Sequence, residues 1–441
     1  MTELSGHFNL KRLLSFTFPS VIMLIFTSVY GIVDGYFVSN YAGKTPFAAV
    51  NFIMPVLMIL GCIGFMFGTG GGALIAKTMG EGEDKKANEI FTLIVAVSAT
   101  CGIVLSVLGI IFLRPIAELF GANGQLLENS VTYGRIILAT LPFYILQFEF
   151  QCLFATAGKP RLGLFVTAAA GIANMVLDAL LVAVFPFGLK GAAVATAISQ
   201  FLGGAIPLFY FCRKNTSLLR FVKCRYNGKV LRKTCANGSS ELMSNISMSV
   251  VSMLYNVQLM KYAGENGIAA YGVLMYVSMI FQAVFIGYAV GSAPIISYNY
   301  GAGNKAELKS LLKTSALFIA FCAVLMFAAG ELLSKPLSML FVGYDEELLS
   351  ITSHAFSIFS FSFLLSGFAI FGSSFFTALN DGFTSAAISF LRTLVFQIAA
   401  VLILPVFFEL DGIWFSIVAA EVMAVSVTLL FLAAKRKKYG Y

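Results

Sequence analysis

Charge is the scarcest property of this sequence: only 11% of its 441 residues are Asp, Glu, Lys or Arg. Soluble globular domains carry about 25%, so a water-facing surface cannot be built from this chain. Histidine is nearly missing as well, with His7 and His354 far apart; an imidazole metal cluster is excluded, and so is a hydrolase built on several histidines. The seven cysteines form no CxxC pair, which argues against a zinc ribbon or a dithiol redox centre. Cys62, Cys101, Cys152, Cys212 and Cys322 fall in or beside apolar runs, where a thiol is a small packing residue. Short segments of period-two alternation are absent, which excludes a membrane β-barrel. The glycine pairs of Gly80-Glu81-Gly82 and Gly301-Ala302-Gly303 follow no strand, and no Lys-Ser/Thr closes a phosphate loop, so they read as turn punctuation. The first residues, MTELSGHFNLKRLL, lack a short apolar core with a small-residue cleavage site. The first apolar run is therefore expected to stay in the protein.

What is present is hydrophobicity, at 59% of residues. Apolar runs of membrane-crossing length recur from end to end, at 16–39, 47–75, 90–113, 131–156, 162–185, 191–212, 237–260, 268–297, 312–334, 351–378, 384–407 and 412–434. The fold class this predicts is an all-α polytopic membrane protein with twelve transmembrane helices. A basic loop at 213–233, with eight Lys/Arg and no acid, separates an N-terminal bundle (1–212) from a C-terminal bundle (234–441). Of the 29 Lys/Arg, 22 fall on the side of the termini and central loop, five on the other side, and Arg135 and Arg392 within runs. By the positive-inside rule both termini face the cytoplasm of a cell inner membrane. The net charge of +8 is then a topology signal and a contact for the lipid bilayer. Nucleic acid is not an expected partner.

The chain also repeats itself. A shift of 221 residues places Gly80 and Gly82 on Gly301 and Gly303, Phe154 and Thr156 on Phe375 and Thr377, and Gly191 on Gly412, with no gaps. Each half holds an even number of spans, so both enter the membrane from the same side. The repeat is parallel, related by an axis along the membrane normal. Two such bundles leave a cavity between them near the midplane, an arrangement suited to alternating access.

Within the spans a few polar residues stand out. Asp34 interrupts the first run, and a carboxylate at membrane depth costs roughly 2.5–3.5 kcal/mol on insertion scales. Asp178 and Asn174 lie four residues apart and so share a face of the fifth span. Tyr133 and Thr196 reach a similar depth from the fourth and sixth. Two carboxylates in such a place cannot easily both stay ionised: either one keeps its proton or a cation binds between them. Oxygen donors without thiolate or imidazole suit H⁺ or Na⁺. Under the shift, Asp34 meets Tyr255, Tyr133 meets His354, Asn174 meets Val395, Asp178 meets Ala399 and Thr196 meets Ile417. The acidic set is thus confined to the first half. The second half has Glu241, Arg392 and Glu421 inside spans, and Glu241 with Arg392 forms a candidate ion pair. Glu149 and Gln151 stand two apart in the fourth span, on different faces; Glu149 either meets a cationic substrate or pairs with a basic neighbour. Pro19 cannot donate a helix hydrogen bond and is a candidate hinge. The many Phe, Tyr and Met residues would make a cavity wall suited to bulky lipophilic cations.

Several stretches carry a resemblance: FPSVIMLIFTSVYGIVDGYFVSNYAG, MGEGEDKKA, LFATAGKPRLG, IANMVLDALLV with GLKGAAVATAISQ, and IGYAVGSAPIISYNYGAGN. Over essentially its whole length the chain resembles the MATE family of multidrug and toxic-compound extruders. The resemblance implies two six-helix bundles around a central cavity and export of organic cations against H⁺ or Na⁺. Asp34, Tyr133, Asn174, Asp178 and Thr196 match the acidic cluster of the family's DinF-like branch, and Pro19 matches the proline of its first helix. Glu241 is similar to a span-seven Glu of the NorM-like branch, whose span-ten acid has no counterpart here. The reading is a monomeric antiporter with no catalytic residues, no bound metal and no cofactor beyond the coupling ion. Its substrates would be small lipophilic cations. A flippase for a lipid-linked saccharide is the alternative.

Overall fold

The structure is a computed structural model and describes residues 3–343 and 345–441. Among the described residues it contains helices and no strand. The first half comprises α1 (Leu10–Phe37), α2 (Lys44–Gly80), α3 (Asp84–Leu119), α4 (Gly124–Ala139), α5 (Leu141–Thr156), α6 (Pro160–Asp178) and α7 (Gly188–Cys212). The second comprises α8 (Gly228–Gly301), α9 (Lys305–Val342), α10 (Glu346–Ser360), α11 (Phe363–Ala378), α12 (Gly382–Phe390) and α13 (Phe396–Tyr439). Among the described residues, eight helices are long and apolar enough to cross a membrane, and ten spans result when α4 with α5 (bent by 60°) and α10 with α11 (50°) each count as one. Non-helical backbone at Gly264 splits α8, and at Glu409 splits α13. Twelve spans result, as the apolar runs predict.

Helix starts follow from capping chemistry. The side chains of Asn9, Asn227, Asn304 and Asp345 accept from backbone N–H groups at Arg12 (2.9 Å), Lys229 (3.1 Å), Glu307 (3.1 Å) and Leu348 (3.0 Å), relieving donors that the first turn leaves unpaired. Residues 213–227 of the basic loop are not helical. They lie across the first half, where Arg220 N donates to Asn88 Oδ1 (2.7 Å) and Phe221 stacks on Phe91 at 5.0 Å. Helix α8 begins at Gly228, so the loop's last residues are already helical.

The repeat is real but not free of gaps. The turn bonds Ala157 N→Leu153 O, Gly158 N→Ala155 O and Lys159 N→Phe154 O recur as Leu379→Phe375, Asn380→Thr377 and Asp381→Phe376, an offset of 222. The starts of α4 and α10 share that offset. The kinks at Gly43 and Gly264, and at Gly188 and Glu409, keep 221. One residue is gained before the fourth span of the second half and lost again before its sixth. Loops absorb such changes, whereas a residue inserted within a helix would turn its buried face by about 100°. Tyr133 therefore corresponds to Ala355 and not to His354, which instead bonds Asp411 at 2.9 Å. Asn174 and Asp178 have no counterpart at a fixed offset, because the second half takes a π-helical turn, Leu391–Val395, before the first half takes its own at Ala179–Val184. Asp34 and Thr196 keep Tyr255 and Ile417.

The halves meet on the side that carries the termini. The glycines of that side read as punctuation in the sequence, and Gly82 and Gly303 do take left-handed turns (φ 83° and 68°). Gly80 and Gly301 do something else. A Cβ on Gly80 would strike the carbonyl of Tyr298, and one on Gly301 that of Lys77. These contacts are reciprocal under the 221 shift, as a two-fold axis between the halves requires. Further bonds join the halves at the same end: Asn237 Nδ2 to Gly70 O (3.4 Å), Asn380 Nδ2 to Ala73 O (3.3 Å), and His7 Nδ1 with Phe8 N to the Glu307 carboxylate (both 2.8 Å).

Candidate functional site: an acid cluster beside an interhalf cavity

Asp34 lies on α1 one turn before a π-helical turn, Val38–Ala42, and Asp178 is the last residue of α6 before another, Ala179–Val184. A third, Leu391–Val395, contains Arg392. Each wide turn thus adjoins a charged residue of the membrane interior, a frequent setting for functional groups. Sequence periodicity gives no sign of these turns.

The structure brings the five first-half residues together. Thr196 Oγ1 donates to Asp34 Oδ1 at 3.4 Å. Asp178 and Asn174 also lie against Asp34, and Tyr133 is close to Asp34, Thr196 and Asp178. Tyr133, Asn174 and Asp178 are buried. Tyr133 Oη, Asn174 Nδ2 and both Asp178 carboxylate oxygens have no hydrogen-bond partner among the described residues. Such groups cost about 1–3 kcal/mol each when unmet, so the cluster holds unused capacity for a proton or a hard cation. Tyr30, one turn before Asp34, faces Gln147 of α5; sequence reasoning missed both.

Between the halves lies a cavity of about 150 Å³. Its wall includes Glu241 and Asn245 of α8, Gln282 further along α8, Ser373 of α11, and Arg392 with Thr393. From the first half it takes Cys152 and Thr156 of α5 with Gly68, Thr69, Gly72 and Ala73 of α2. The acid cluster does not line it.

Two expectations are corrected. Arg392 does not pair with Glu241: its Nε lies 3.0 Å from both Glu421 oxygens and its Nη2 2.8 Å from Glu421 Oε1. Glu421 comes from the following antiparallel span, within reach of a guanidinium fork, whereas Glu241 stands on α8. Glu241 has no ion pair among the described residues, so the cavity wall carries a free carboxyl beside a neutralised pair. Glu149 has no basic partner among the described residues. It is fully buried, accepts a hydrogen bond from Ser98, and leaves Oε1 without a partner. Gln151 is buried with both amide atoms unmet. The hydroxyl and thiol that face the cavity from α5 are one position and one turn further on, a phase that periodicity alone could not set. Pro19, the candidate hinge, lies inside α1, which is helical from Leu10 to Phe37. It is buried where α1 meets the other half: a Cβ on nearby Gly287 would come within 2.5 Å of Val21 Cα.

Two six-span bundles related by a parallel repeat, with a cavity between them and an acid cluster inside one, define a membrane transporter fold. The MatE family matches twice, at residues 19–180 and 242–403, once in each half, and the chain belongs to that family. It is 25% identical to the multidrug export protein MepA of Staphylococcus saprophyticus over 95% of this chain and 93% of that protein. To MepA of Staphylococcus aureus it is 24% identical over 97% and 94%. Among solved structures, a multidrug resistance MATE transporter of the MOP superfamily in its outward-facing conformation superposes with a TM-score of 0.94 at 21% identity, covering 99% of this chain and 98% of that one.

Proposed function

We propose that this chain exports lipophilic organic cations from the cell by alternating access, in exchange for H⁺ or Na⁺ bound at Asp34 and Asp178. The observation that carries the proposal is the separation of two sites. An acid cluster with unmet hydrogen-bonding groups is enclosed in the first half, and a cavity with a free carboxyl, Glu241, opens between the halves. Two such places, linked by a movable element, allow one cation to be exchanged for another. Helix α1 is that element: it carries Asp34 at one end and packs on Gly287 and Gly291 of the other half at the other. Cation entry at the cluster rearranges the hydrogen bonds that α1 shares with α6 and α7, shifts α1 around Pro19 and weakens the hold on substrate. The contacts sealing the terminus-bearing side support an outward-open resting state with both termini in the cytoplasm, the side on which basic residues gather. In a one-for-one exchange of monovalent cations no net charge crosses, so the ion's own gradient drives export, and a tenfold gradient supplies about 1.4 kcal/mol, enough for roughly tenfold accumulation.

The experiment is ethidium efflux from proteoliposomes with a pH gradient or a Na⁺ gradient imposed alone. Efflux driven by one gradient identifies the coupling ion. Failure of both gradients to move any lipophilic cation, with transfer of a lipid-linked saccharide instead, would replace this reading with a flippase.

A further inference from the structure

A second cavity, of about 670 Å³, opens on the terminus-bearing rim where α1 and α6 begin, apart from both sites above. Its wall holds four cations, Lys11, Arg12, Lys159 and Arg161, against one acid, Glu3. Two of the four are engaged. Arg12 donates to the carbonyls of His7 (3.0 Å), Ser5 (2.8 Å) and Glu3 (3.4 Å) and lies over the Phe8 ring at 4.1 Å. Lys159 pairs with Glu3 at 3.6 Å. Lys11 and Arg161 are exposed and have no ion pair among the described residues. The segment that forms one wall is firmly held, since Leu4 and Phe8 are 0% and 1% exposed.

The placement of these cations runs against helix electrostatics. Helix N-termini carry partial positive charge and favour acids. Neither α1 nor α6 has an acid in its first turn, and both have Lys or Arg there. An anion bound among them would turn that repulsion into attraction, with the dipoles of both helices adding to the side-chain charge. Further along the same two helices, Phe18 and Phe165 are 61% and 71% exposed, apolar surface of the kind a bilayer covers. The ligand chemistry is therefore a phosphate joined to acyl chains.

We infer that this cavity binds an anionic phospholipid, its phosphate held by Lys11 and Arg161 and its chains lying along α1 and α6. The bound lipid braces the foot of α1, the helix that carries Asp34.

The test uses the purified full chain in detergent, read by native mass spectrometry and by thermal unfolding. Dioleoyl phosphatidylglycerol is the probe, dioleoyl phosphatidylcholine the neutral comparison, and inorganic phosphate and glycerol 3-phosphate the headgroup-only arms. Phosphatidylglycerol should be retained in preference to phosphatidylcholine. The Lys11→Gln/Arg161→Gln double variant should lose about thirtyfold in that retention, given the usual strength of a basic side chain at a lipid surface. Lys11→Arg/Arg161→Lys should restore it, and Lys229→Gln/Lys233→Gln, which removes as much charge elsewhere, should leave it unchanged. Equal retention of the two lipids, or undiminished retention by the double variant, overturns the site. Thermal stabilisation by phosphate alone as large as that by phosphatidylglycerol overturns the lipid in favour of a free anion. None of these readouts depends on transport, so failure here leaves the proposed function standing, and the reverse.

Discussion

The two halves share a scaffold and divide the polar chemistry. In the first half Asp34, Asp178, Asn174, Tyr133 and Thr196 converge inside the bundle with several groups unmet. At the places corresponding to Asp34, Tyr133 and Thr196 the second half has Tyr255, Ala355 and Ile417, and Tyr255 closes on Gln397 at 2.7 Å. Its own charges are paired, Arg392 with Glu421, or turned to the cavity, as Glu241 is. A satisfied network is rigid and an unsatisfied one responds to a ligand. On the proposed reading, the asymmetry leaves one bundle with a site that would change state and the other with a wall against which that change would be expressed.

The largest expected effect tests that division directly. Asp34→Asn or Asp178→Asn should reduce gradient-driven ethidium efflux by roughly tenfold or more in correctly inserted protein, because an intramembrane acid on a transport path is functional by default. Tyr255→Phe at the corresponding place should cost little. Equal loss from Tyr255→Phe would end the claim that the first half couples.

Stability should show the opposite order. Glu421→Gln leaves the Arg392 guanidinium without its partner and should destabilise the protein by about 3–5 kcal/mol. Gln200, at the 221 offset from Glu421, only accepts from Thr140 at 2.8 Å, and Gln200→Met should cost about 1 kcal/mol. Thermal unfolding in one detergent compares the pair; similar losses would mean that the Arg392 pair is no more than surface-like.

The contact between the halves is the next point of attack. Gly80→Ala and Gly301→Ala each put a methyl against a carbonyl of the opposite half and should disfavour the closed terminus side by about 1–3 kcal/mol, the usual cost of overpacking. Spin-label distances across that side should lengthen in both variants alike, since the contacts are reciprocal. A shift in only one would show that the axis between the halves is broken there.

The smallest effect concerns one backbone position. Gly188 and Glu409 correspond, and both take positive φ, 55° and 50°. Glycine does so freely, whereas Glu409 is strained by about 1–3 kcal/mol. Glu409→Gly should therefore raise the unfolding temperature, and Gly188→Ala should lower it. No rise for Glu409→Gly would mean that its side chain stabilises the kink in ways its exposed position does not suggest.

Much of the site was legible before any coordinates. Asp34 and Asp178 stand out because a carboxylate in an apolar run needs a reason, and Asn174 follows because four residues make one helical turn. Partners across helices were less accessible. The Arg392–Glu421 pair, and the burial of Glu149 on Ser98, depend on how each span is rotated about its axis. A span apolar on nearly every face gives little signal of that rotation. The same blindness hid the one-residue gain and loss between the halves, because loop residues carry no periodicity to reveal a slip.

The sequence by itself determined the membrane, the number of spans, the duplication and the confinement of the Asp34 and Asp178 pair to one half. Each of these is written in composition and spacing, since a bilayer core demands about 20 apolar residues per crossing and tolerates few charges. Only the tertiary structure decided which polar atoms meet. It separated the acid cluster from the cavity, gave Arg392 its partner, set the π-helical turns beside Asp34, Asp178 and Arg392, and sealed the terminus-bearing side through Gly80 and Gly301. These outcomes depend on contacts at a few ångströms between spans distant in sequence, where helix rotation and packing, not hydropathy, set the free energy.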